Sequence, residues 1–206
     1  MTSYKPVRDP LNDKLLTPEN SILILIDYQP TQVNSINSME KNTLIRNVVT
    51  VAKTAQLYQL PIVLSTVNVT NGKSLDTIPA LKKVLGDTPS YDRTSINAWE
   101  DKEFYAAVQA AGRKKLIICA LWTEACLSFP TLDALHEGYD VHVVTDAVGG
   151  TTKHAHETAL SRMEQAGAHL TSIPQLLCEL QRDWNRTKTS EGFVELLIEA
   201  NVFPSS

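Results

Sequence analysis

The feature that most constrains this chain is a series of short, continuous apolar runs, each followed by a segment with apolar residues at helical spacing. "SILILID" (residues 21–27), "PIVLSTVN" (61–68) and "KKLIICAL" (114–121) are rich in Ile, Leu and Val with little polar alternation. A strand that is apolar on both sides is buried on both sides, as in a parallel sheet covered by helices. Residues 41–60, 77–86, 101–112, 124–138 and 153–167 carry the helical pattern. Acids open 101–112 and a glycine closes it, as the helix dipole and C-cap geometry favour. Pro130 lies inside 124–138, where it should kink the helix or leave a carbonyl unpaired. "SYDRTS" (90–95) reads as a short third strand, "YDVHVVTDAVGG" contains a fifth, and "AHLTSI" (168–173) is the last. Two helical segments follow, at 174–184 and 190–200. The pattern predicts an α/β fold: a single-domain, doubly wound, mainly parallel six-stranded sheet with helices on both faces. Residues 1–18, polar and punctuated by proline, read as an N-terminal arm, and residues 19–206 as one domain that includes the C-terminal helices.

Charge and composition narrow the partners. Lys+Arg 19 against Asp+Glu 23 gives a net charge of -4, which offers nucleic acid no electrostatic attraction. No apolar run approaches the roughly 20 residues that span a bilayer, and the N-terminus lacks the basic-then-apolar order of a signal peptide. Three cysteines, Cys119, Cys126 and Cys178, leave one over in any disulfide scheme, so reduced thiols in a cytoplasmic protein are expected. No GxGxxG or GxxxxGK[ST] follows the first strand, so a dinucleotide or P-loop site lacks its glycines. The expected partner is a small-molecule substrate, with no cofactor, no nucleic acid and no membrane.

In open α/β sheets, ligands bind beyond the carboxyl ends of the strands where the strand order reverses, commonly between the first and fourth strands. The first strand here ends in Asp27, and the fourth leads to Cys126 in "LWTEACL". A free thiol is mostly protonated at neutral pH. A carboxylate can take its proton, and a helix N-terminus with a cation can stabilise the thiolate. Arg93, near the end of the third strand, is the candidate cation; its plainer reading is a surface pair with Asp92 or Glu100. Asp27 alone could cap a turn with "YQP", and Cys126 alone could be a small core residue. Cys119 in mid-strand and Cys178 on an apolar helical face both read as core. His154, His156 and Glu157 read as a solvated helix start, because residues two apart do not share a helix face. His136 and His142 read as isolated.

With Asp27, Arg93 and Cys126 assembled, the chain resembles an isochorismatase-like cysteine hydrolase from about Ser21 to Trp184. "ALWTEACLSFPTLDALHEGYDVHVVTDAVGG" is similar to the family's nucleophile region, and "LILIDYQ" to the strand bearing its catalytic aspartate. "DRTSINAWED", "QAGAHLTS" and "ELQRDW" resemble a narrower bacterial subgroup, the YcaC-like hydrolases of unassigned substrate. The family's Asp, Lys and Cys fall on Asp27, Arg93 and Cys126. Arginine keeps the lysine's charge but does not give up a proton at ordinary pH, so it would orient and stabilise. The cysteine separates the chain from true isochorismatases, which act on a vinyl ether, and points to the amidase-like branches. The nicotinamidase branch holds a metal through histidines after its second strand; "NVTNGKSLDTIP" has none, so no metal is expected.

The resemblance implies acyl transfer through a thioester on a small amide-like (C–N) substrate. It places an oxyanion hole at the backbone N–H groups of Cys126 and Trp122, after a cis Leu121–Trp122 peptide. Each such donor is worth about 3 kcal/mol. Tyr28, Asn97 and Trp122 are the candidate pocket residues. A homo-oligomer is implied, an octamer in the narrower subgroup, and the apolar positions of "EGFVELLIEANVF" need a surface to cover. Two other classes compete: a non-catalytic ligand-binding protein and a thiol redox protein on the same fold.

Overall fold

A computed structural model describes residues 7–204; the first six residues of the predicted arm lie outside the described residues. Six strands form one sheet: β1 (Ser21–Ile26), β2 (Ile62–Val67), β3 (Ser90–Arg93), β4 (Lys115–Ala120), β5 (Asp140–Val144) and β6 (His169–Thr171). Their order is β3-β2-β1-β4-β5-β6, and every neighbouring pair is parallel. β1 and β4 hold the centre, and all their residues are buried. This is why both read as unbroken apolar runs. The short edge strands β3 and β6 carry the polar residues.

The chain runs outward from β1 to β3, then returns to the other side of β1 for β4. That reversal opens a crevice beyond the carboxyl ends of β1 and β4. The helices are α1 (Pro30–Ser35), α2 (Lys41–Leu57), α3 (Pro79–Leu85), α4 (Lys102–Ala110), α5 (Ser128–His136), α6 (Lys153–Gln165), α7 (Ile173–Gln181) and α8 (Thr187–Glu199). α2 packs with α3, α7 and α8, whereas α5 packs with α6 and with a 3-10 turn (Ala98–Glu100) that leads into α4. Glu40 and Asp101 cap α2 and α4 by accepting N–H bonds from their first turns. Leu16 is fully buried, and its N–H donates to Glu179 of α7 at 2.8 Å.

Three expectations change. The segment 124–138 is not one helix. A π-helical turn (Thr123–Leu127) precedes α5, with Leu127 N–H donating to Trp122 O at 3.1 Å. Pro130 is the third residue of α5, directly after the π-helical turn. The apolar residues of α8 find their cover within the chain: Phe193, Leu196 and Leu197 are buried as α8 packs on α2 and α7. Cys178 is exposed rather than core.

Candidate active site

Asp27 follows the last residue of β1 in a left-handed conformation, φ 62°. Few non-glycine residues sit there, and those that do cluster at sites where geometry is imposed by function. Its N–H donates to Ser65 O at 3.0 Å, which ties the turn to the end of β2. Arg93 ends β3 and reaches across β2. Its Nη1 and Nη2 donate to Asp27 Oδ1 and Oδ2 at 2.8 and 2.7 Å, a bidentate pair with both side chains fully buried. The guanidinium also donates to Ser65 Oγ at 3.0 Å, Thr66 O at 3.1 Å and Ile96 O at 3.2 Å. Desolvating two ions costs several kcal/mol each, so such a pair persists only with geometry and extra bonds of this quality. Burial pulls the Arg93 pKa down, but the bond and charge of Asp27 outweigh it and the net shift is upward. Asp92 is not its partner: that carboxylate accepts from Val69, Thr70 and Thr66 in the neighbouring loop.

Cys126 is half-buried within the π-helical turn, not at the N-terminus of α5. The Leu121–Trp122 peptide before it is cis. Thr123 N–H donates to Gly149 O at 2.9 Å, and Leu121 bridges to Gly149, so the turn is held against the segment after β5. Burial pushes the Cys126 thiol up to about 12, helped by the charge of Asp27 and a hydrogen bond to it. Arg93 and a hydrogen bond from the Trp122 N–H pull the other way without prevailing. The expectation of a thiolate stabilised at rest by a helix end and a cation is therefore corrected. Burial above all, with the charge of Asp27 beside it, favours the thiol over the thiolate at rest.

The three pocket candidates divide. Tyr28 is not an open wall: it is fully buried, and its hydroxyl donates to Ala147 O at 2.6 Å. Asn97 spends its amide on structure, donating to Asp133 at 2.7 Å while its oxygen caps Trp99 N–H at 3.1 Å. Trp122 stays half-buried beside Cys126, with its indole N–H donating to Ser35 Oγ at 2.6 Å.

Several supports were not evident from sequence. Ser65 and Thr66, which hold Arg93, were visible only as polar residues at the end of an apolar strand. Gln29 is buried and binds Val67 O, Ser74 Oγ and Leu75 O at 3.1, 2.9 and 2.7 Å, latching the loop after β2. His156 is not merely solvated: its Nδ1 lies 2.8 Å from Thr123 Oγ1 in the nucleophile turn, and burial lowers its pKa. Glu124 of the same turn accepts from Thr151 N–H at 3.0 Å. His142 is not isolated either; it stands against Asp140 and His169.

Residues 21–175 match the isochorismatase domain. The chain is 37% identical over 170 residues to the probable hydrolase YcaC of Escherichia coli, covering 82% of this chain and 81% of that protein. Among solved structures, YcaC from Pseudomonas aeruginosa superposes with a TM-score of 0.85 at 35% identity, covering 92% of this chain and 95% of that one. Escherichia coli YcaC superposes with a TM-score of 0.80 at 32% identity, covering 96% and 98%.

Proposed function

This chain belongs to the isochorismatase family of hydrolases, and on that premise we propose that it is a cysteine hydrolase of amidase type. Its substrate is a small amide-like compound, cleaved at C–N through a thioester. The observation that carries this reading is the buried carboxylate: both oxygens of Asp27 are held by Arg93, and its charge acts on the Cys126 thiol. An ionised carboxylate has about four acceptor sites, so it can take the thiol proton while Arg93 holds it.

In the first step Asp27 takes the Cys126 proton as the sulfur forms its bond to the substrate carbonyl carbon. The carbonyl π electrons move to oxygen, where the N–H groups of Trp122 and Cys126 stabilise the charge. The oxyanion then collapses, the C–N bond breaks, and Asp27 returns the proton to the departing nitrogen. In the second step water gives a proton to Asp27 and adds to the thioester carbon. The C–S bond breaks, the acid leaves, and the sulfur regains its proton. Arg93 keeps its own proton throughout and stabilises Asp27 as its charge appears and disappears.

The Pseudomonas aeruginosa relative was solved with covalent acrylamide, a small amide and electrophile, which supports a nucleophile in this fold. The Escherichia coli relative is described as an octameric hydrolase of unknown specificity, and we propose that this chain also forms a homo-oligomer.

The deciding experiment is intact-protein mass spectrometry after exposure to a metabolite mixture and a panel of small amides. An acyl adduct on the wild type, absent in Cys126→Ala, supports the hydrolase. A mass gain of oxygen with peroxide, with no amide turned over, replaces it with the redox reading.

A further inference from the structure

One cluster of ligand-bearing side chains among the described residues has no part in the crevice chemistry. Asp140 opens β5, and His142 stands two residues on, on the same face of the strand. His169 opens β6, in register with His142. Lys115, the first residue of β4, pairs with Asp140 in the sheet, so the cluster lies toward the opposite strand end from Cys126.

The geometry is that of a chelate. His142 Nε2 lies 3.1 Å from Asp140 Oδ1, and His169 Nε2 lies 3.2 Å from the same oxygen. The three ligand atoms all fall within 4.8 Å of one another. Around a tetrahedral ion with bonds of about 2.0–2.1 Å, neighbouring ligand atoms stand roughly 3.3–3.4 Å apart. Two of the three edges are already near that length. The imidazoles lean together, centroids 4.9 Å apart and planes tilted by 31°.

The atoms facing that point are paired only with one another. His142 is only 7% exposed. Its Nε2 and Asp140 Oδ1 are both buried, yet neither makes a hydrogen bond. They are close but not aligned as donor and acceptor, and such groups are costly to bury unsatisfied. The other carboxylate oxygen is already committed: Lys115 Nζ donates to Asp140 Oδ2 at 2.5 Å and to Lys14 O at 2.6 Å. That bond fixes the carboxylate rotation and turns Oδ1 toward the two imidazoles. It also places one positive charge beside the cluster, which moderates affinity for a cation. His169 is exposed and provides the way in.

We propose that Asp140, His142 and His169 form a three-ligand site for a divalent transition metal of zinc type, with water completing the tetrahedron. Two imidazoles and one carboxylate suit a borderline ion rather than calcium or magnesium, which prefer all-oxygen shells. Bound there, the ion fastens the three-residue edge strand β6 to β5.

The test uses the full chain, stripped with a chelator and titrated with Co²⁺ at pH 7.5. The proposal expects one Co²⁺ per chain with the intense visible bands of a tetrahedral site, displaced by one equivalent of Zn²⁺. Losing an outer partner of a metal ligand already costs roughly 10–100-fold in affinity, so His169→Ala should weaken Zn²⁺ by at least that much. His169 is exposed, so this variant keeps the fold and decides the outcome; His142→Ala, at a buried position, is read only if its circular dichroism matches the wild type. Cys178→Ser should leave the spectrum unchanged. No tetrahedral Co²⁺ spectrum, or one abolished by Cys178→Ser and kept in His169→Ala, overturns the site.

Discussion

Asp27 faces two partners with opposite effects on its neighbour's sulfur. Its charge and hydrogen bond raise the Cys126 pKa, whereas Arg93 lowers it. Base catalysis and thiol acidity therefore part company in Asp27→Asn. Removing a general base costs typically 10²–10⁴-fold, so kcat/KM should fall by about 10³. The thiol, relieved of the carboxylate, should become more acidic, and iodoacetamide labelling should start at lower pH. Because Cys178 is exposed, the labelling is read in a Cys178→Ser background. Slower labelling at every pH would mean that the carboxylate does not hold the thiol pKa up. Arg93 gives the complementary case. Arg93→Ala leaves Asp27 as a fully buried, unpaired charge, which should cost about 3–5 kcal/mol in urea unfolding. It should also raise the thiol pKa further. Arg93→Lys keeps the charge but loses the two-pronged grip, so the labelling profile should move less than in Arg93→Ala. The Asp27, Arg93 and Cys126 positions were readable because each follows or ends a strand at one end of the sheet. The acidity of the thiol was not, because it depends on burial that spacing along the chain does not encode.

At the scale of elements, the nucleophile turn is shaped by what grips it from outside. Gly149 and Gly150, which carried no message in the sequence except that they form no phosphate loop, pack directly against it. A Cβ on Gly150 would lie 2.6 Å from Glu124 Oε2, 2.9 Å from His156 Cβ and 3.1 Å from His156 Cα. Glu124 belongs to the π-helical turn, and His156 bonds the hydroxyl of Thr123 in it. The Glu124 side chain can swing away, but the α6 backbone cannot yield as cheaply. Gly150→Ala should therefore destabilise the protein by about 1–3 kcal/mol, the usual cost of overpacking. It should also lower kcat more than it raises KM, since it moves the turn bearing Cys126. Thermal melts and steady-state kinetics on the same preparation check both halves. A normal kcat in a destabilised protein would mean that the turn does not depend on this contact. The periodicity of 124–138 read as one helix because a π-helical turn keeps nearly the same apolar spacing. The i→i−5 hydrogen bonds from Leu127 to Trp122 and from Ser128 to Thr123 distinguish them.

For the whole molecule, the sheet was legible because its information lies in the runs themselves. Strands apolar on both faces must be central and parallel, and "SILILID" and "KLIICA" are the two that became β1 and β4. Their adjacency sets the crevice, and with it the meeting of a carboxylate and a thiol. The association state was less legible, because the helix that pointed to it has another use. The apolar stripe of α8, expected to seek a partner, is spent on α2 and α7. Large apolar side chains that remain exposed include Val202 and Phe203 just past α8, and Leu75 at 68%, Ile96 at 64% and Trp184 at 62%. Ile96 adjoins the site directly, since its carbonyl accepts from Arg93. Single exposed apolar residues are ordinary, but several on one small domain are a reason to expect association. Light scattering at micromolar concentration should return a mass several times the 22.8 kDa of one chain. Ile96→Glu and Trp184→Glu should each lower that mass if the exposed side chain is covered in the assembly. A wild type that runs at the mass of one chain would refute the oligomer, and it would leave the proposed hydrolase chemistry, built from Asp27, Arg93 and Cys126 of a single chain, intact.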